Sequence, residues 1–98
     1  MQQITIAGIL ISDPKESLDK NENLYTDFII ACQNKVEKVT NAPYTYYRCV
    51  YKGSTNMKKG AGVCLTGILR AGIAYDKNNE VYVDLFVWVN QMDIIYNG

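Results

Sequence analysis

Residues 43–53 read Pro-Tyr-Thr-Tyr-Tyr-Arg-Cys-Val-Tyr-Lys-Gly, a strand-like run that contains four tyrosines and two cations. Side chains alternate across a strand, so one face of this run is expected to carry Tyr44, Tyr46, Arg48, Val50 and Lys52. Single-stranded nucleic acid suits such a face, because bases stack on rings while cations follow the phosphates. Aromatic residues are also common in strands generally, so a tyrosine-rich strand facing a core or a subunit contact is the alternative interpretation.

The length and composition predict one soluble domain over residues 1–98. Hydrophobic residues make up 48% and charged residues 20%, which is ordinary for a globular protein. No apolar run is long enough to cross a bilayer and the N-terminus does not read as a signal peptide, so we expect a cytoplasmic protein without membrane contact. The three cysteines form no Cys-x-x-Cys pair, and we interpret them as thiols in a reducing compartment.

The absence of histidine argues against an enzyme. Histidine is the commonest general base and the commonest metal ligand, and this chain has none. The acidic residues are scattered in predicted loops, and residues 60–62 do not form a phosphate-loop motif. We therefore expect no catalytic residues, no metal and no cofactor.

The charge distribution favours a phosphate-binding face although the net charge is zero. Residues 38–75 contain no Asp or Glu and carry six cations, whereas residues 1–27 and 76–98 are both net acidic. A neutral protein with a basic middle segment can still bind a polyanion. The alternative is chance clustering of lysines and arginines on a solvated surface.

Alternating hydrophobicity predicts five strands at residues 3–12, 24–34, 43–53, 62–70 and 81–90. Residues 15–23 and 35–42 are polar and are interpreted as a loop and a hairpin tip. Residues 54–59 are expected to form one short helix that ends at Gly60. Residues 76–80 predict a hairpin turn, and residues 93–96 an extension of the last strand.

The last predicted strand has the clearest alternation in the chain. Its apolar face, expected in the core, comprises Val81, Val83, Leu85, Val87 and Val89. The opposite face holds three aromatic residues, Tyr82, Phe86 and Trp88, for which a subunit contact is the first interpretation. A ligand platform and a cover for another loop remain alternatives.

These elements together predict an all-β fold. Five strands, one short helix between the third and fourth strands, and glycines in the middle of two strands are typical of a closed five-stranded Greek-key barrel of the OB-fold type. Gly8 and Gly67 are the mid-strand glycines, and such positions usually mark a bulge or a sharp bend.

The order of motifs resembles that of bacterial single-stranded DNA-binding proteins. The first strand with Gly8 is followed by Asp13-Pro14, and residues 27–32, Asp-Phe-Ile-Ile-Ala-Cys, are similar to the family's Asn-Phe-Ser-Leu-Ala-Thr. Tyr46 and Arg48 precede Gly53 with the family's spacing. The most specific similarity is Lys-Gly at 59–60 followed by a strand, Gly67 and Leu-Arg at 69–70. The resemblance covers nearly the whole chain.

The resemblance implies a set of DNA-binding residues. Tyr46 and Tyr75 match positions that stack bases, and four cations would contact the DNA backbone: Arg48, Lys52, Lys59 and Arg70. Val36 and Lys52 stand where the family usually has tryptophan and phenylalanine. Since each stacked base contributes roughly 1–3 kcal/mol, weaker binding than in a full-strength member is expected.

The resemblance also implies a biological setting: a homo-oligomer, dimer or tetramer, that acts in DNA replication, recombination or repair with possible replication-protein partners. The family's long tail with an acidic tip is not present in these 98 residues. This suits either a trimmed domain or a short relative of the primosomal replication protein B group. An OB-fold module for protein contact, with weak or no DNA binding, is the alternative function, favoured by the zero net charge and the changed stacking positions.

Overall fold

The computed structural model describes residues 2–33 and 43–98, which form six strands. They are β1 (Gln2–Leu10), β2 (Lys15–Leu18), β3 (Leu24–Gln33), β4 (Tyr44–Lys52), β5 (Gly62–Tyr75) and β6 (Val81–Tyr96). The predicted hairpin tip at 35–42, with Val36, lies outside the described residues. A search of the described residues finds no helix that could cross a membrane.

The strands pair in the order β1-β5-β6-β4-β3-β2, and β1 also pairs with β3. This additional pairing, Ile9 with Ala31 and Leu10 with Ile30, closes five strands into a ring. β4 and β6 run parallel, while the other pairs are antiparallel. β4 and β6 are therefore neighbours in the sheet although no hairpin connects them.

The core fills the inside of the ring and follows the alternation read from the sequence. The buried apolar side chains are Leu10, Phe28, Ile30, Cys49, Met57, Ala61, Val63, Leu65 and Val87. On β3 and β5, buried residues alternate with more exposed ones, as expected for strands that cover a core. Cys49 of β4, which pairs with Phe28 and Val87, is also buried, so Tyr46 and Arg48 project outward.

The two mid-strand glycines mark irregular points of the sheet. A Cβ on Gly8 would lie 2.6 Å from the carbonyl oxygen of Ala31, at the place where β1 changes partner from β5 to β3. A Cβ on Gly67 would collide with the carbonyl oxygen of Trp88, and the β5–β6 register shifts between Thr66 and Gly67. The predicted irregularity is confirmed as a register shift at Gly67, whereas Gly8 lies at a close approach of two strands.

Residues 15–18 form a strand, and the prediction of a loop there was wrong. β2 pairs with β3 through a five-residue turn in which Asp19 Oδ1 accepts hydrogen bonds from the backbone N–H groups of Asn21 and Asn23. Asp76 Oδ1 does the same for Asn78 and Glu80 in the β5–β6 turn. Both turns begin Asp-Lys-Asn, so this repeated motif was the sequence signal for the missed hairpin.

The short helix predicted at 54–59 is not present, because the backbone N–H groups there bind distant elements. The N–H of Lys58 donates to Asn97 Oδ1 and that of Lys59 donates to Asp13 Oδ1, both at 2.9 Å. The Gly60 N–H donates to the Leu10 carbonyl. Met57 is meanwhile buried in the core, so tertiary contacts replace the helical hydrogen bonds.

Part of the predicted apolar core face of the last strand is exposed. Val87 is buried, but Val81 and Val83 are 61% and 65% exposed. β5 and β6 are longer than predicted, and their outer halves, residues 71–85, extend beyond the ring as a two-stranded arm. The predicted extension at 93–96 is confirmed, since Asp93, Ile94 and Tyr96 pair with β5.

Candidate nucleic-acid interface

One continuous surface, which we call the outer face, lies opposite the core on four neighbouring strands. Its position follows from strand register, because directly paired residues project to the same side of a sheet. Arg48 of β4 pairs with Ile29 of β3 and Phe86 of β6, and Phe86 pairs with Arg70 of β5. The outer face comprises Tyr25, Asp27, Ile29, Tyr44, Tyr46, Arg48, Val50, Lys52, Ile68, Arg70, Tyr82, Asp84, Phe86 and Trp88.

Arg48, Phe86 and Arg70 form a row across three strands, with the ring between the two cations. The Arg48 guanidinium carbon lies 5.1 Å from the centre of the Phe86 ring, a cation–π distance. Both arginines are exposed, whereas Phe86 is half-buried. The row therefore offers positive charge at both margins of an apolar surface.

Arg48 also forms a bidentate ion pair with Asp84. Its Nε donates to Asp84 Oδ1 at 2.9 Å and its Nη2 donates to Oδ2 at 2.7 Å. Because the hydrogen bonds favour both charged forms, the pKa of Asp84 lies below its usual value and that of Arg48 above its usual value. Both groups stay charged at neutral pH, and the cation has a carboxylate partner before any ligand binds.

Tyr25 and Trp88 form an aromatic stack on the outer face. Their rings are parallel to within 6° with centroids 6.0 Å apart, an offset stack that reaches across β4 near Val50. Trp88 also contacts the Phe86 ring at a centroid distance of 5.9 Å. Trp88 is half exposed, at 50%, so part of its ring is free for another flat group.

Three open grooves meet at Arg48. The largest, about 920 Å³, is lined by Arg48, Ile68, Leu69, Arg70, Ala71, Gly72, Asp84, Phe86 and Trp88. The second lies towards Tyr44, Tyr46 and Tyr82, and the third towards Asp13, Lys15 and Asp27. Arg48 lines all three grooves, which makes it the central cation of the surface.

The structure brings four of the six sequence-predicted DNA-binding residues to the outer face. Tyr46 is 55% exposed, Arg48 and Lys52 follow on the same side of β4, and Arg70 lies two strands away. Lys52 pairs with Tyr25 and thus lies beside the Tyr25–Trp88 stack.

The other two predicted residues lie apart from this cluster. Tyr75, 66% exposed, is the last residue of β5 next to the arm's turn. Lys59 lies in the β4–β5 loop beside Asp13 and, among the residues described, lines none of the three grooves.

Sequence reasoning did not include Tyr25 or Asp84 among the candidate residues, and for Phe86 and Trp88 it favoured a subunit contact over a ligand platform. Alternation correctly put Phe86 and Trp88 opposite the core face of β6. It could not show that β6 lies parallel to β4, which sets Phe86 beside Arg48. No local sequence signal reports a parallel pairing between strands that are far apart in the chain. Within the described ranges there is no cluster of three or more potential metal ligands.

Residues 1–95 match the family model described as the single-strand binding protein family. This chain belongs to that family. The resemblance read from the order of motifs is thereby confirmed, and the match covers all six predicted DNA-binding positions. No curated protein sequence matches the chain significantly.

Solved structures agree with the assignment to the single-strand binding protein family at the level of the fold. The chain is similar to two crystal structures of Rim1, a mitochondrial single-stranded DNA binding protein from S. cerevisiae, one of them selenomethionine-labelled. Both have a TM-score of 0.70, with 17% and 16% identity, covering 99% of this chain and 97% of Rim1. The all-β prediction and its OB-fold type are consistent with these neighbours, with six strands in place of five.

Proposed function

We propose that this protein binds single-stranded DNA on the outer face with little readout of base sequence. The carrying observation is the interleaving of rings and cations there: Arg48, Phe86 and Arg70 form one row, and Trp88 lies beside it. Bases of any sequence can stack on rings, whereas cations are needed for phosphates. Membership of the single-strand binding protein family supports this function and a binding protein that is not an enzyme.

The stacking surface is assembled from two strands. Tyr46 on β4 and Phe86 and Trp88 on β6 present rings to the grooves, and Arg70 and Lys52 flank them. Lys52 stands where related proteins usually have an aromatic residue, and the neighbouring Tyr25–Trp88 stack supplies rings at this end of the sheet. A DNA strand that crosses the outer face would contact the aromatic side chains first and the cations at the margins of the face.

Titration with an oligo-dT strand tests the proposal, because the single tryptophan of the chain is in the largest groove. We expect saturable quenching of Trp88 fluorescence and an affinity that falls as salt rises. Duplex DNA of the same length is the matched control and should bind more weakly. Absence of quenching and of a gel shift at low salt would overturn the proposal.

We further propose a homo-oligomer that acts in DNA replication, recombination or repair in the cytoplasm, with replication proteins as possible partners. In the described residues, β1 pairs with β3 only at Ile9 and Leu10, so residues 2–8 have an open edge on the side away from β5. An open edge of this length can pair with another strand. Light scattering of the purified chain measures the mass directly, and a strictly monomeric mass would overturn this part.

A second candidate function is protein contact through the arm. Ile73, Val81 and Val83 are each more than 60% exposed and lie on paired positions of its two strands. Exposed apolar patches of this kind often mark protein interaction sites. If the outer face does not bind DNA, capture of a replication protein that is lost with Val83→Lys would favour this function.

A further inference from the structure

The positive charge of Arg48 is already paired with the carboxylate of Asp84 in the free protein. Its fork of donors uses both oxygens of Asp84, the same two-pronged geometry by which arginine binds two oxygens of a phosphate. A phosphate can therefore bind these Arg48 donors only if it displaces the Asp84 carboxylate or approaches while that carboxylate remains close. Both routes place a second negative charge close to Asp84.

The ion pair is built into the sheet. Asp84 precedes Phe86 by two residues and so projects from the same side of β6, while Phe86 pairs directly with Arg48. The residue of β5 paired with Asp84 is Gly72, which has no side chain to interpose. The Asp84 side chain is 27% exposed and that of Arg48 is 55% exposed, so the acid is the more enclosed partner.

We propose that Asp84 is a specificity-determining residue that competes with DNA phosphates for Arg48. This inference rests on the proposed binding of single-stranded DNA to the outer face. In the free protein, Asp84 holds the guanidinium against Phe86. Phosphates are bound by those cations to which the described residues supply no such carboxylate, Arg70 first. Asp84 thereby lowers the affinity and makes binding depend less on salt, in favour of base stacking.

The test compares D84N with D27N. Asn keeps the size of Asp84 and removes its charge, whereas Asp27 lies on the same face and lines the third groove without a fork to Arg48. We expect D84N to bind oligo-dT roughly threefold to tenfold more tightly than wild type at low salt. The slope of log affinity against log salt should steepen by about 0.7, the value for one more neutralised phosphate on a single strand. D27N should change both quantities much less.

A double substitution separates the local effect from a general change of charge. In an R48Q background, D84N should no longer steepen the salt slope, since the cation it would release is absent. Equal effects of D84N and D27N, or a D84N effect that persists in R48Q, would overturn the competition. If the wild type binds and D84N has the same affinity and the same salt slope, this inference alone is overturned. Absence of binding by wild type and all variants would overturn the proposed function as well.

Discussion

Gly8 lies so close to β3 that a Cβ on it would be 2.6 Å from the carbonyl oxygen of Ala31 and 2.9 Å from Cys32 Sγ. This is the point where the first strand leaves β5 and closes the ring against β3. The bare backbone of residue 8 therefore sets how tightly the five strands can close, and through them where β3 holds Tyr25 and Ile29 on the outer face.

Gly8→Ala should lower the free energy of unfolding by roughly 1–3 kcal/mol, the usual range for overpacking a filled site. Gly72→Ala is the matched control, because a Cβ there would meet nothing within 4 Å. Urea unfolding of both variants measures the difference. Equal stability of the two variants would show that the ring relaxes freely at Gly8.

The buried hydroxyl of Thr26 gives a second stability test. Its Oγ1 donates to the carbonyl oxygen of Gly53 at 2.7 Å, while the Gly53 N–H donates to Leu24, so the end of β4 is fastened to β3. Thr26→Val keeps the shape and leaves that carbonyl without its donor, and we expect a loss of about 1–2 kcal/mol. Thr26→Ser should lose less, because it keeps the hydroxyl. Equal losses from the two substitutions would mean that the hydroxyl contributes no more to stability than the methyl group does.

Tyr46 tests the stacking role at one position. Tyr46→Ala should weaken oligo-dT binding by about 1–3 kcal/mol if the ring stacks on a base, whereas Tyr46→Phe keeps the ring and should bind like wild type. Since Tyr46 is 55% exposed, neither change is expected to unfold the protein. Fluorescence titration and circular dichroism of the three proteins measure binding and folding. Wild-type affinity in a folded Tyr46→Ala variant would exclude Tyr46 from the interface.

Arg70 and Lys59 should differ although both are predicted backbone contacts. Arg70 lines the largest groove, and Lys59 lies in the β4–β5 loop. We expect Arg70→Ala to reduce the salt slope by about 0.7 and Lys59→Ala to change it less. A larger effect of Lys59→Ala would place the path of the DNA across the β4–β5 loop.

Burial raises the pKa of the Cys49 thiol to about 12, compared with about 8.5 for an unfolded cysteine. Between these values the folded chain keeps a proton that the unfolded chain releases, so this group makes stability fall as pH rises, by up to about 1.4 kcal/mol per pH unit. Cys49→Ala should show a shallower alkaline decline than wild type in urea unfolding at several pH values. Parallel declines would mean that Cys49 titrates normally. Thiol labelling provides an independent check, because Cys49 should react only when the chain unfolds.

The sequence predicted best those features that depend on alternation within one strand. The outward side of Tyr46 and Arg48, the bulge at Gly67 and the turn at Asp76 all follow from local patterns. The helix at 54–59 failed because Asp13 and Asn97, distant in the chain, bind its N–H groups. The ion pair between Asp84 and Arg48 could not be predicted for the same reason, since it depends on the parallel register of β4 and β6.

The arm formed by residues 71–85 divides the longest strand pair into two regions with unequal protection from hydrogen exchange. Near Leu65 the paired strands cover the core, whereas Ile73 is 72% exposed and has water on its side of the arm. Amides near Ile73 should therefore exchange through local opening, while those near Leu65 should exchange only when the whole chain unfolds. Arg70, Gly72 and Asp84 line the groove at the base of the arm. A ligand bound in this groove would restrict the motion of the arm at its base. Slower hydrogen exchange of the Ile73 amide would then show that the groove is occupied, although Ile73 does not line it.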